Sequence, residues 1–206
     1  MPPTPAPVES AASSGVPHDG RRARRHRSRD LAVDALLDLL SEGVSRPTAH
    51  QVAERSGVSL RSIFRIFDDV ETLHAAASKR QLERNKHLYV EVPATGSLTE
   101  RIDAVVDLHS SLYASVAPVR RAALRAAPES EALRAQLDRA RGWLQTEIAR
   151  VFAAELADRK DAAVTAAALE MALSFEAWDQ LHSSQRLAAT DRREIVAHTV
   201  RALLAR

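Results

Sequence analysis

The sequence predicts an all-α protein, and three observations predict it. Ala, Leu and Arg are abundant, a helix-forming mixture. Breakers are scarce in the body of the chain, because Pro2, Pro3, Pro5, Pro7 and Pro17 account for most of the nine prolines. Apolar residues recur at helical spacing, with Ser, Thr or Asp standing where helix N-caps belong. At 206 residues, 45% hydrophobic and 27% charged, the chain is long enough to bury a sizeable core. Cysteine is absent, which excludes thiol nucleophiles, thiolate metal sites and disulfides. No apolar run approaches the ~18 residues that a membrane-spanning helix needs. The first residues also lack the apolar stretch of a secretory signal, so a cytoplasmic protein is expected.

Residues 1 to about 25 are rich in Pro, Ser and Gly and end in an arginine run, so they read as a disordered basic tail. Leu31, Ala35, Leu36, Leu39 and Leu40 then form an apolar helical stripe that ends at Gly43. Thr48-Ala-His-Gln51 is a capping box that opens a short helix, with Val52 placed to pack back on Pro47. That helix stops at Gly57. Ser59 caps a third helix carrying Ile63, Phe64 and Phe67, and Asp69 caps a fourth that runs to about Tyr89. Ser97-Leu-Thr-Glu100 is a second capping box, opening a helix with Ile102, Val105, His109 and Tyr113 on one face. Pro118 and Pro128 bracket a separate basic helix with Arg120, Arg121 and Arg125. A helix follows from Glu129 to about Leu156. Residues 161–184 are apolar on every side, and a last helix begins near Asp191. About nine helices and no strand are expected.

Thr48–Phe67 carries the functional signal. Two short helices meet at Ser56-Gly57-Val58, where glycine suits a left-handed turn and small Ala53 permits close approach. This is helix-turn-helix logic, which leaves the second helix free to enter a DNA major groove. Ser59, Leu60, Arg61, Ser62 and Arg65 are its polar, basic or short positions. Arg61 has the reach to read guanine, while Arg65 and the hydroxyls position the backbone. Thr48 and Phe64 complete the candidate DNA-facing set on these helices. Arg24, Arg25 and Arg27 extend it as an arm that neutralises phosphates or enters a minor groove.

These residues resemble the TetR family of bacterial transcriptional regulators. The resemblance runs from Asp30 to Leu73. It takes in a first helix ending in Glu42-Gly43, the Val52-Ala-Glu-Arg-Ser-Gly-Val-Ser59 block, Phe64-Arg-Ile-Phe67 and Asp69-Val-Glu-Thr-Leu73. It implies a helix-turn-helix domain at 26–74 and a ligand-binding and dimerisation bundle at 75–206. It also implies a homodimer that represses from a palindromic DNA operator until a small molecule releases it. The family typically has a phosphate-binding tyrosine at Phe64 and a phosphate-binding lysine at Val70, and this chain has neither. That departure motivates a second reading, a helical small-molecule-binding or catalytic protein whose helix-turn-helix no longer grips DNA.

His109, Tyr113, Trp143, Phe175, Trp178 and His182 are the candidate walls of a ligand site, aromatic groups mixed with a few polar ones. Ordinary core packing is the alternative for each. The all-apolar 161–184 helix needs cover from a partner subunit, so Ala166, Leu169 and Leu173, with Ile195, Thr199 and Ala202 of the last helix, are the candidate dimer interface. Glu71-x-x-His74 has metal-ligand spacing but no second copy, so no metal is expected, nor any other cofactor. Signatures of zinc hydrolases, serine hydrolases, phosphate loops and dinucleotide sites are absent, and no enzyme activity is expected.

Overall fold

The computed structural model describes residues 18–205; residues 1–17, the greater part of the expected tail, lie outside them. The helices are α1 (His18–Ser41), α2 (Ala49–Ser56), α3 (Leu60–Ile66), α4 (Val70–Arg84) and α5 (Leu98–Ala126). They continue with α6 (Glu131–Val151), α7 (Ala153–Leu156), α8 (Ala162–Ala172), α9 (Phe175–Asp179) and α10 (Ala189–Leu204). Among the described residues there is no strand.

Local chemistry sets the helix starts. The Thr48 side chain accepts from the Gln51 N–H at 3.2 Å while Gln51 accepts from the Thr48 N–H at 2.9 Å, closing the expected capping box. Ser97 and Glu100 close a second capping box on α5, while Ser59 and Asp69 cap α3 and α4 by accepting from the Ser62 and Thr72 N–H groups. Each cap satisfies N–H groups that have no partner inside the helix.

Four expectations about the helices need correction. Residues 18–25 are helical rather than a tail, because α1 continues toward the N-terminus through Arg and Ala, which favour helix. The fourth helix stops at Arg84, where the side chain of Asn85 turns back to donate to the Gln81 carbonyl at 2.8 Å. Pro118 does not separate two helices. It lies inside the 29-residue α5, so Arg120, Arg121 and Arg125 share a rod with Tyr113. Proline removes one hydrogen bond and crowds the preceding turn, yet burial of Ala117, Val119, Ala122 and Ala123 on both sides holds the helix together. Finally, 161–184 is not one helix. Ser174 accepts from the Ala177 N–H at 3.1 Å and restarts the chain as α9 after α8 has ended.

Two cores result. The head packs Leu36, Leu37 and Leu40 of α1 on Val52, Ile63, Phe67 and Leu73, and α5 contributes Val119 and Ala122 to it. The body packs Ile102 and Val105 of α5 with Ile148 of α6, Leu169 of α8 and Val200 of α10. Leu169 and Leu173 are both at most 2% exposed within this single chain. They are core residues, and the interface expected of them is corrected. Burial inside the monomer leaves them nothing to offer a partner. The outward faces are Val164 and Met171 of α8 and Ile195 and Ala202 of α10, while Ala166 and Thr199 are half-buried.

Head and body are tied through α4 and α5. Arg80 of α4 meets Asp30 and Asp34 of α1 at 3.1 and 3.2 Å, and Arg84 meets Asp34 at 2.8 Å. Gln81 donates to the Ser115 carbonyl of α5 at 3.0 Å, and the Ser115 hydroxyl donates to Asn85. Arg125 donates to the Ser45 carbonyl in the α1–α2 loop at 2.7 Å. His74 sits in this junction, and burial, with the Arg125 charge second, holds its pKa below the ordinary histidine value. The folded state therefore prefers neutral His74. Its contribution is complete above the unfolded value of about 6.5 and is lost as pH falls toward the lower folded value. Denaturant midpoints should accordingly fall between pH 7.5 and 5.5, and His74→Gln should flatten that decline. An equal slope in wild type and variant would remove His74 from the junction's energetics.

Candidate nucleic-acid interface and ligand cavity

The helix-turn-helix is built as its residues require. Gly57 takes φ 68°, the left-handed region that links α2 to α3 without strain. The Arg55 guanidinium meets the Glu42 carboxylate in two bonds of 2.7 and 2.6 Å, pinning α2 to the end of α1. This pairing holds the Glu42 carboxyl below the usual carboxylate range. Ile63 and Phe67 are buried, which turns Ser59, Arg61, Phe64 and Arg65 outward. Phe64 is 54% exposed, a large apolar ring standing in solvent on α3. Leu60 and Ser62 are half-buried, and Ser62 is engaged with the Ser59 hydroxyl at 3.0 Å. Thr48 is exposed, but its side chain is occupied by the α2 cap.

Arg61 and Arg65 make no ion pair or hydrogen bond among the described residues. Their charges are solvated and available. Arg24, Arg25 and Arg27 are exposed on the first turns of α1, and a groove there is lined by Arg21, Arg22, Arg25, His26 and Arg29 together with Ile66 of α3. Arg29 also lies 5.5 Å above the Phe67 ring. The arginine run is thus a helical extension of α1 beside α3, where a free arm was expected.

The body holds a cavity of about 450 Å³ between α5, α6 and the α8–α9 turn. Tyr113, Trp143 and Phe175 line it. Tyr89 completes an aromatic wall, edge-on to Trp143 with ring centroids 5.5 Å apart. The Tyr113 hydroxyl donates to the Leu173 carbonyl at 2.9 Å, and burial raises its pKa. The other candidates stand elsewhere. Trp178 lies behind Phe175 and stacks on His182 at 4.8 Å, and His182 is exposed. The break at Ser174 rotates this pair away from the cavity, which corrects their assignment as walls.

His109 is 3% exposed and bonded to the equally buried Glu147 at 2.6 Å, beside the cavity rather than on its lining. Its Nδ1 is buried with no partner among the described residues. A gap of about 10 Å³ touches His109, Ser110 and Trp178, about the least room that one water molecule needs.

Sequence reasoning missed Arg120, Leu124, Arg141 and Glu170 as lining groups. Arg120 was legible in principle. With α5 continuous through Pro118, Tyr113, Val116, Arg120 and Leu124 fall on one helical face. Arg141 and Glu170, which pair with each other, come from separate helices and leave no short-range signal.

No family model matches the chain, and no curated protein matches it in sequence. Solved structures do match its fold. A transcriptional regulator from Rhodococcus sp. Rha1 superposes with a TM-score of 0.66 at 17% identity, over 87% of this chain and 95% of that one. A TetR-family transcriptional regulator from Streptomyces coelicolor superposes with a TM-score of 0.63 at 20% identity, over 92% of this chain and 80% of that one. The likeness is one of architecture, and the chain shares the all-α fold of these two solved proteins.

Proposed function

We propose that the protein is a homodimeric transcriptional regulator that grips double-stranded DNA with α3 and represses until a small molecule fills the body cavity. The observation that carries this reading is the outward face of α3. Arg61 and Arg65 are exposed and unpaired there, on a helix whose opposite side is anchored by Ile63 and Phe67. The structural neighbours, both described as transcriptional regulators, support the same reading.

Two copies of α3 reach successive major grooves of a palindromic site if they stand about 34 Å apart. The dimer contact falls to the outward faces of α8 and α10, where Val164 and Met171 are 71% and 70% exposed and Ile195 is 41% exposed. Phe64 lacks the hydroxyl of a phosphate-binding tyrosine, and the arginines of the α1 extension offset that loss by adding phosphate contacts. The ligand acts through α5, which lines the cavity at Arg120 and packs into the head one residue earlier at Val119. A ligand that binds one head arrangement better than another shifts the equilibrium by that difference alone.

Arg61→Ala should weaken operator binding by about 1–3 kcal/mol and relax preference at one base pair, read by fluorescence polarisation over a panel of single-base operator variants. A loss equal on every sequence would instead make Arg61 a phosphate contact. Replacing Arg21, Arg22, Arg24 and Arg25 together by Gln should lower the steepness of log K against log[salt] by about 0.9 for each phosphate that these arginines neutralise. An unchanged slope would place the α1 extension away from DNA.

A further inference from the structure

We infer that the ligand of the body cavity is a small apolar monocarboxylate, its carboxylate paired with the Arg120 guanidinium and its body held between aromatic rings. This rests on the reading above that the cavity receives a ligand, and it adds the chemistry of that ligand.

Arg120 differs from the other half-buried arginines of the body. Arg121 meets Asp179 at 2.5 Å, Arg193 meets Asp107 at 2.5 Å, and the buried Arg101 meets Glu155 at 2.5 Å. Arg120 has no ion pair and no hydrogen bond among the described residues, and its Nε is sealed from water without a partner. A buried donor left unmade loses its hydration and gains nothing in return, which gives an incoming acceptor its advantage. The guanidinium lies 5.4 Å over the Phe175 ring, so its plane is held in place, and a planar fork suits two carboxylate oxygens.

The remaining charges of the lining select one negative charge and against a positive one. Glu170 is already taken by Arg141 and by Gln145 at 2.8 Å. Asp138 and Glu176 are exposed at the rim, where water solvates them and a cationic ligand would gain little. With Arg141 neutralised by Glu170, Arg120 is the lining guanidinium left without an acid partner, so it matches a monoanion and leaves the second charge of a phosphate monoester unmatched. Apart from Ser174, whose hydroxyl donates to the Met171 carbonyl, the rest of the lining is apolar or aromatic, with Tyr89 and Trp143 edge-on at 5.5 Å and Tyr113 and Phe175 edge-on at 5.5 Å. At ~30 Å³ for each water-sized group, 450 Å³ holds about fifteen heavy atoms, the size of a two-ring aromatic acid.

The test is calorimetric titration of the full-length protein with 2-naphthoate, 2-naphthamide and 2-naphthylmethylammonium, which share a body and differ in charge. The acid should bind at least about tenfold more tightly than the amide, and the ammonium most weakly. Arg120→Gln should bring the acid down to the level of the amide, and Arg120→Lys should restore part of the difference. Equal binding of acid and amide, tightest binding of the ammonium, or an unchanged ratio in Arg120→Gln would overturn the inference. So would no binding of the acid up to about 1 mM. If neither variant folds, the wild-type ratio of acid to amide decides alone. DNA binding, read separately by polarisation, keeps the two readings apart. Failure of the acid to bind with DNA affinity intact overturns this inference alone. Saturable acid binding without DNA affinity upholds it and overturns the regulator.

Discussion

The unbroken run of α5 through Pro118 sets the geometry on which the rest of the molecule depends. A helix that carried on past residue 118 in any other phase would turn Arg120 away from the cavity and Val119 out of the head. As it stands, Tyr113, Val116, Arg120 and Leu124 face the cavity, Val119 and Ala122 enter the head core, and Arg125 bonds the α1–α2 loop at the Ser45 carbonyl. A proline inside a helix costs about 3 kcal/mol where nothing compensates. Here apolar groups on both sides of Pro118 are buried, each contributing on the scale of about 0.8 kcal/mol per methylene removed from water. Packing wins over the local penalty.

A second principle sorts the arginines. In the body, guanidinium groups that leave the solvent are matched by carboxylates or carbonyls, as Arg101 is by Glu155 and the Val151 carbonyl. Removing one partner from such a buried pair would strand a charge. On α1 and α3 the guanidinium groups stay in water, and Arg61 and Arg65 have no partner among the described residues, which suits a surface that meets phosphates. Arg120 belongs to neither group. It is partly withdrawn from water yet unmatched, and that mismatch separates it from the scaffold.

The sequence made the helix starts legible because capping is local chemistry. Thr48, Ser59, Asp69 and Ser97 each act within three residues of themselves, and each stands where the pattern placed it. The helix-turn-helix was legible for the same reason, since Gly57 and the spacing of Val52, Val58 and Ile63 need no distant partner. What escaped depends on packing at long range. Pro118 reads as a boundary until the burial of Val119 and Ala122 against α1 and α4 is known. Leu169 and Leu173 lie one turn apart in a segment apolar on every side, so their phase relative to the core was undetermined. Ser174 looked like one more residue of a helix, although its side chain starts a new one.

The most direct measurement is hydrogen exchange of the α5 backbone amides by NMR in the protein without ligand or DNA. A continuous helix bonds the Val119 and Arg120 N–H groups to carbonyls one turn back, so they should be as strongly protected as those of Val105 and Val106. A helix that ended at Ala117 and restarted after Pro118 would leave the first N–H groups without partners. Rapid exchange confined to residues 119–121 would break α5 at the proline and, with it, the shared rod that joins cavity to head.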